Sequence, residues 1–447
     1  MLPQRHRLAG QAWILRSGHS QGDRRQHHEG AGTVMALTER EAVLVAEARA
    51  LQPELVRLRR EIHADPEIGL DLPRTQRRVL DALAGLDLTV VAGRASSSVV
   101  AVLTGAAPGP AVVLRADMDA LPLAQAPGGE TVSATQGVMH ACGHDLHTAM
   151  LVGAARLLAA RRDAIAGRVV FVFQPGEEGY DGMRVMLEDG LMDLIGPAAL
   201  ATYGLHTVAA TVPHGIFTGK ADASHASTAT LAITVRGRGG HAGFPHAAVD
   251  PVPAAAELIL ALQVRLTRAV DVFDPAIITV GAIHGGTAAN VIPDEVSLTG
   301  TARVFSPTQA DRLPGLIREV CAGVATTYGV AIDVDYRPGY PVVMNDAEEV
   351  DRFRDVVTDL FGPSRYQPLA APIPAGDDYA RLMERIPGAF LLLGAGRPAA
   401  DGVEYANHSG RAIFDDSLLA DGVAALTAVT LRRLSGFPGE ALSREVP

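Results

Sequence analysis

Short, almost continuous apolar runs alternate with stretches of helical period over the first half of the chain. "SSVVAVLTG" (97–105), "PAVVLRADMDALP" (110–122), "RVVFVFQPGEEG" (168–179) and "ALATYGLH" (199–206) read as strands. The segments 36–62 and 147–165, with a shorter one near 181–191, read as helices. Strands that are apolar on both faces and separated by helices predict a buried, mainly parallel sheet. The pattern changes near Ser224. In "STATLAITVRGRG" (227–239) Ala229, Leu231, Ile233 and Val235 share one face, with Thr228, Thr230, Thr234 and Arg236 on the other, as in a half-exposed strand. A helix begun by proline (250–270), two strands (276–286 and 295–304), a helix (306–329) and a strand (331–337) complete the order β-α-β-β-α-β of a ferredoxin-like unit. From about Met344 the first pattern resumes, with helices near 351–361 and 416–434.

The fold class expected is therefore α/β: a large domain with a mainly parallel mixed sheet flanked by helices, interrupted by a smaller ferredoxin-like α+β lid domain. The large domain takes residues 35–223 and 338–447, the inserted one 224–337. A chain of 447 residues exceeds one ordinary core, which fits two domains. The net charge of −11 argues against a nucleic-acid partner, since phosphate binding needs clustered Lys and Arg. Two cysteines far apart, Cys142 and Cys321, fit a reducing cytoplasm. The longest apolar run, "AMLVGAARLLAA" (149–160), is too short to cross a bilayer and contains Arg156. Residues 1–34 hold the only tryptophan, Trp13, and many Arg and His, but no secretory h-region. They read as a disordered extension, with Met1 or Met35 as the true start.

Several strands end in residues suited to metal binding. Asp117 and Asp119 follow one, Glu177 and Glu178 another, and His206 a third. In open α/β sheets ligands bind beyond the carboxyl ends of the strands. "GVMHACGHDLHTAM" (137–150) adds Cys142 and His144, one glycine apart, and a thiolate beside an imidazole favours zinc or a similar ion. Cys142 alone could equally be a small buried apolar residue. Asp145 suits a helix N-cap, His147 a capping or supporting role, and His140 a structural one. In "QPGEE" one carboxylate can bind metal while its neighbour works as a base on water. Metalloprotease His-Glu-x-x-His, paired Cys-x-x-Cys and Gly-x-Ser-x-Gly motifs do not occur, and "GRGGHA" (237–242) lacks the context of a dinucleotide site.

Motifs from about Arg59 to Asp416 also carry a resemblance. "RREIHADPEIG", "LRADMDALP", "MHACGHDLHTAMLVGAA", "FQPGEEG", "GLH", "VRGRGGHAGFPHAAVDPV", "GTAANVIPDEVSLTGTAR" and "NHSGRAIFDD" occur in the order seen in N-acyl-amino-acid amidohydrolases. These include hippurate hydrolases and auxin–amino acid conjugate hydrolases, a branch of the aminoacylase and carboxypeptidase-G type dinuclear metallopeptidases. The resemblance implies two divalent metal ions per subunit (zinc, or manganese, cobalt or nickel), held by Cys142, His144, Glu178, His206 and His408. It implies Glu177 as general base for water activated by metal, Asp119 orienting a ligand, and His241 acting on substrate, often across a dimer. Asn290, Arg303 and His246 would contact substrate. The expected reaction splits an N-acyl-amino acid into a carboxylic acid and a free amino acid, in a cytoplasmic homodimer joined through the lid. A dipeptidase or carboxypeptidase of the same superfamily is the alternative, and a non-catalytic binding relative a more distant one. Two motifs depart from the family: "AGDDY" (375–379) replaces "GSEDF", and "HSGRAIF" (408–414) replaces an "HNPKF"-like end.

Overall fold

The computed structural model describes residues 39–128 and 131–435. The expected extension, with Trp13, lies outside the described residues. An eight-stranded mixed sheet runs in the order Thr89–Ala92, Val99–Thr104, Ala166–Gln174, Ala107–Asp117, Ala199–Val208, Gly388–Gly394, Phe217–Gly219, Tyr366–Pro368. Its centre is parallel: Ala107–Asp117 pairs with Ala166–Gln174 and Ala199–Val208, and the latter with Gly388–Gly394. These strands are apolar throughout because both faces are covered. Val112, Leu114, Val169, Phe171 and Phe173 face a core shared with helices Glu39–Ala64, His144–Ala159 and Leu419–Ser435. Val113, Val170 and Val172 face the opposite one, with Met183, Leu191 and Leu382 of three short helices. The first three helices approach closely at Gly153, where a Cβ would press on Val423 and Leu55.

A second sheet of four antiparallel strands has the order Ala276–Gly285, Glu295–Val304, Ala229–Arg236, Ala331–Pro338. Together with helices Pro251–Ala269 and Pro307–Tyr328 this is the ferredoxin-like arrangement expected. Ala229, Leu231, Ile233 and Val235 are its buried row, as the alternation required. Both helices have sequence-encoded starts: Asp250 accepts from Val252 N at 2.9 Å, and Ser306 from Gln309 N at 3.1 Å. The chain passes between the two sheets twice. The two passages pair as a short ribbon, Asp222–His225 with Val343–Asn345. Among the described residues no helix is long and apolar enough to cross a membrane.

Candidate metal centre

Parallel strands bring their carboxyl ends to one edge. Asp117 closes Ala107–Asp117, Glu177 and Glu178 follow Ala166–Gln174, and His206 stands near the end of Ala199–Val208. Helix His144–Ala159 begins at the same edge and turns its positive end toward these carboxylates. Gly143 is its N-cap, with φ 82°. A Cβ there would strike Thr207 Oγ1, so only glycine lets Cys142 and His144 reach the same place. Asp145 is not the cap that its residue type suggested. It lies in the first turn, where its carboxylate meets Arg59 Nε at 2.8 Å and His63 Nδ1 at 2.7 Å, because helix Glu39–Ala64 offers an arginine and a histidine one turn apart.

The fully buried His144 is the hub. Its Nε2 is 3.7 Å from Asp117 and 4.0 Å from Glu178 Oε1, and its Nδ1 is 3.6 Å from Asp119. Cys142 Sγ lies 3.5 Å from His206 Nε2, and His408 Nε2 3.2 Å from Glu178 Oε1. His408 holds a left-handed backbone (φ 65°), fixed by its N–H on the Ala141 carbonyl at 2.9 Å. A non-glycine residue in that region is uncommon and tends to mark a functional site.

Some members of the cluster are fully engaged. His147 uses Nδ1 on Asp117 (2.5 Å) and Nε2 on Thr207, whose N–H donates at 2.7 Å. Asp117 is held on its other oxygen by Arg115 at 2.7 Å. Asp119 accepts from the backbone N–H of Glu177 and of Glu178, each at 3.0 Å, and so fixes the turn that presents both glutamates. Other atoms are orphaned. Both ring nitrogens of His144 are buried without a hydrogen-bond partner, and buried Oε1 of Glu178 faces the His408 ring at 3.2 Å without a well-formed hydrogen bond. Such groups are costly unless something engages them. Ligand atoms of Cys142, His144 and Glu178 lie within 4.8 Å of one another, as do those of Asp117, His144, His147 and His206. This donor set of thiol, imidazole and carboxylate fits divalent cations.

The electrostatics agree with that fit. Burial, then Asp377, Glu178 and Asp378, push Glu177 well above the usual carboxylate range. Burial opposes ionisation of Glu178 too, but His408 and His144 outweigh it and hold its carboxylate below that range. Burial and the adjacent His147 depress His206 well below the ordinary histidine value. Acids crowded together in this way are relieved by cationic charge among them.

The remaining predicted residues are elsewhere. His241 lies on the two-residue strand Gly240–His241, paired with Val291–Ile292. Asn290 is beside it, its carbonyl accepting from Ala242 N at 3.0 Å. His246 follows on the same loop and is exposed, and Arg303 is half-buried on strand Glu295–Val304 with its guanidinium on the Ala302 carbonyl. Among the described residues, no hydrogen bond or ion pair joins these four to the strand-end cluster.

Sequence reasoning passed over Arg115 and Asn407. The fully buried Arg115 binds Gln174, Asp117, Asp377 and Asp378, and so ties the "AGDDY" loop to the strand ends. A lone arginine inside an apolar strand was the available signal, because a buried cation needs carboxylates around it. Asn407 joins the His408 loop to the cluster, with Nδ2 on the Thr207 carbonyl (3.0 Å) and 3.5 Å from Cys142 Sγ. Nothing local marked it.

Known proteins are similar to this chain in sequence and fold. The profile of the peptidase family M20/M25/M40 matches residues 113–432. N-acetylcysteine deacetylase of Bacillus subtilis (strain 168) is 32% identical over 83% of this chain and 94% of its own. IAA-amino acid hydrolase ILR1-like 2 of Arabidopsis thaliana is 35% identical over 76% of each chain. Thermostable carboxypeptidase 2 of Saccharolobus solfataricus is 30% identical over 86% of this chain and 97% of its own. The crystal structure of Bacillus subtilis YXEP protein, described as a dinuclear metal binding peptidase of the M20 family, superposes with TM-score 0.75 at 29% identity, covering 87% of this chain and 99% of that one. With this cluster at its strand ends, the chain is a metallo-hydrolase that belongs to peptidase family M20/M25/M40.

Proposed function

We propose that the protein is an amidohydrolase that cleaves N-acyl-amino acids, such as N-acetyl- or N-benzoyl-amino acids, to a carboxylic acid and a free amino acid. The observation that carries this reading is the pairing of Glu177, a buried carboxylate, with the carboxylate of Glu178 and the unpartnered ring nitrogens of His144 at one sheet edge. The names of the deacetylase and the IAA-amino acid hydrolase support the acyl-amino acid class. Cys142, His144, Glu178, His206 and His408 would hold two divalent ions, and Asp119 would fix the turn of Glu177 and Glu178. When bound, such ions supply Lewis acidity and lower the pKa of water. Glu177 takes the proton of the attacking water and delivers it to the leaving amine. His241 donates to the developing oxyanion, while Asn290, Arg303 and His246 hold the substrate's carboxylate.

His241 and Asn290 reach a site through a second copy of the chain, in a homodimer formed by a lid of residues 224–337. Support comes from apolar surface on this unit: Leu260 and Val264 on helix Pro251–Ala269, and Ile277 and Ile283 on its edge strand, are all exposed. The sparse, unpaired cysteines support a cytoplasmic location.

The test is Glu177→Gln. It should keep its metal by elemental analysis and lose about 10²–10⁴-fold in kcat on N-acetyl- and N-benzoyl-amino acids. A near wild-type rate would overturn the mechanism. The carboxypeptidase name among the relatives favours a second reading, peptide cleavage. A side-by-side assay of acyl-amino acids against dipeptides and longer peptides decides between the two.

A further inference from the structure

Both passages between the two sheets reach the catalytic cluster. On one of them Tyr340 donates from its hydroxyl to the Glu177 carbonyl at 2.6 Å, and its backbone N–H is held by Thr228 Oγ1 at 2.7 Å. On the other, directly paired with Val343, stands His225. Its ring lies 5.1 Å from that of Phe390, and Phe390 lies edge-on to His206 at 5.9 Å. The Nδ1 of His225 is tied to Ser224 Oγ at 2.8 Å, whereas Nε2 makes no hydrogen bond among the described residues. A nearly buried histidine, oriented by a hydrogen bond on Nδ1 and with Nε2 unused one ring away from His206, is arranged to receive a ligand atom.

We propose that His225 is a specificity residue of this site, whose Nε2 hydrogen-bonds an uncharged polar atom on the acyl half of the substrate. This rests on the acyl-amino acid reading above. Burial pushes the imidazole down to about 4, so it meets the substrate neutral. A neutral ring in apolar surroundings (Phe390, Val343) is poorly suited to the carboxylate of the amino-acid half and well suited to a hydroxyl or carbonyl on the acyl chain.

The experiment compares wild type, His225→Leu and His225→Gln, all metal-loaded, on one amino acid carrying benzoyl or 2-, 3- or 4-hydroxybenzoyl. Binding of the four corresponding free acids is measured by calorimetry. Wild type should favour at least one hydroxylated acyl group by about tenfold in kcat/KM, the worth of one well-placed hydrogen bond. The Leu variant should lose that ratio and the Gln variant, whose amide can reach the Nε2 position, should keep part of it. The free acids should show the same ratios. If Leu changes all four substrates alike, His225 only packs against Phe390 and the proposal falls. It falls equally if wild type shows no preference. If wild type cleaves none of the substrates, the acyl-amino acid reading fails, and the free acids alone then decide on His225: selective binding lost in Leu upholds its role, and no selective binding ends it.

Discussion

The strand-end cluster and the ribbon that carries His241 are built to different standards of completeness. In the cluster, both oxygens of Asp117, both of Asp119 and both nitrogens of His147 are used by neighbours, and most side chains are buried, with Glu178 and His206 partly so and His408 exposed. In the ribbon, among the described residues, the exposed His241 ring accepts only from Gly243 N in its own loop, and Phe244 beside it is 59% exposed. One chain is enough to set the geometry of the first site. The second has its backbone fixed and its side chains waiting for a substrate or another subunit. Catalytic groups work when held rigidly, so in the proposed role the ribbon's groups would gain their precision on assembly.

The sharpest way to break this comparison is to remove the hub. His144→Ala should cost at least about 10³-fold in kcat/KM, since the Lewis-acid contribution is worth several kcal/mol. Elemental analysis should show metal content falling with it. Chelation of wild type should reproduce the loss, and added metal should restore chelated wild type but not the variant. Full metal content in His144→Ala would mean that the orphaned nitrogens have another purpose.

His241→Ala should cost about 10²–10³-fold in kcat, the usual loss for one oxyanion donor, with metal content and thermal midpoint unchanged. Mixing it with Glu177→Gln under subunit exchange should restore about a quarter of wild-type activity, because half the dimers of a two-fold assembly would then hold one intact site. No recovery in a mixture shown to exchange would place His241 and Glu177 in the same chain's site.

How much of this was legible follows the same division. The strands ending in Asp117, Glu177 and His206 were readable because buried parallel strands are apolar on both faces and stop where polar residues begin. The ferredoxin-like unit was readable from the alternation at Ala229–Val235 and from its proline-led helices. Strand Gly388–Gly394 sits beside Ala199–Val208, yet "GAFLLLG" is too short to tell from a helical fragment by period alone. The ribbon of His225 was invisible for another reason: two three- or four-residue strands, paired over more than a hundred positions, carry no local pattern. Within the site, Cys142 and His144 announced themselves by type and spacing, whereas His408 came only from resemblance. Its histidine lies in a loop, and what places it is a backbone hydrogen bond to Ala141 from far away in sequence. Asp145 shows the opposite error: a good capping residue type, recruited by Arg59 and His63 that local reading could not place nearby.

Two arginines sharpen the contrast in energy. Arg115→Met would leave buried Asp117, Asp377 and Asp378 without their common cation, at a cost of about 3–5 kcal/mol in metal-free protein. Arg236 on the four-stranded sheet also bridges two carboxylates, Asp333 and Glu295, but in solvent. Arg236→Met should barely move the urea midpoint, since exposed pairs are screened and entropically costly. Similar shifts for the two would show that the cluster is less tightly closed than its distances indicate.

Of the effects on function, the smallest should come from the two asparagines. Asn407 accepts from Ala209 N at 2.8 Å, donates to the Thr207 carbonyl, and reaches Cys142 Sγ, so it aligns the His408 loop with the end of strand Ala199–Val208. Asn407→Ala keeps every proposed ligand and removes only their alignment. Metal affinity should therefore weaken by about tenfold, the low end for loss of an outer partner, with a parallel drop in activity that excess metal repairs. Asn290→Ala should do the reverse: metal affinity stays as in wild type, and KM for the acyl-amino acid rises in a way that excess metal leaves untouched. Competition with a chromogenic chelator reads the first quantity, and initial rates at saturating metal read the second. If both variants moved both quantities, the cluster and the ribbon would form one connected network, and the independence seen in their hydrogen bonds would not extend to their energetics.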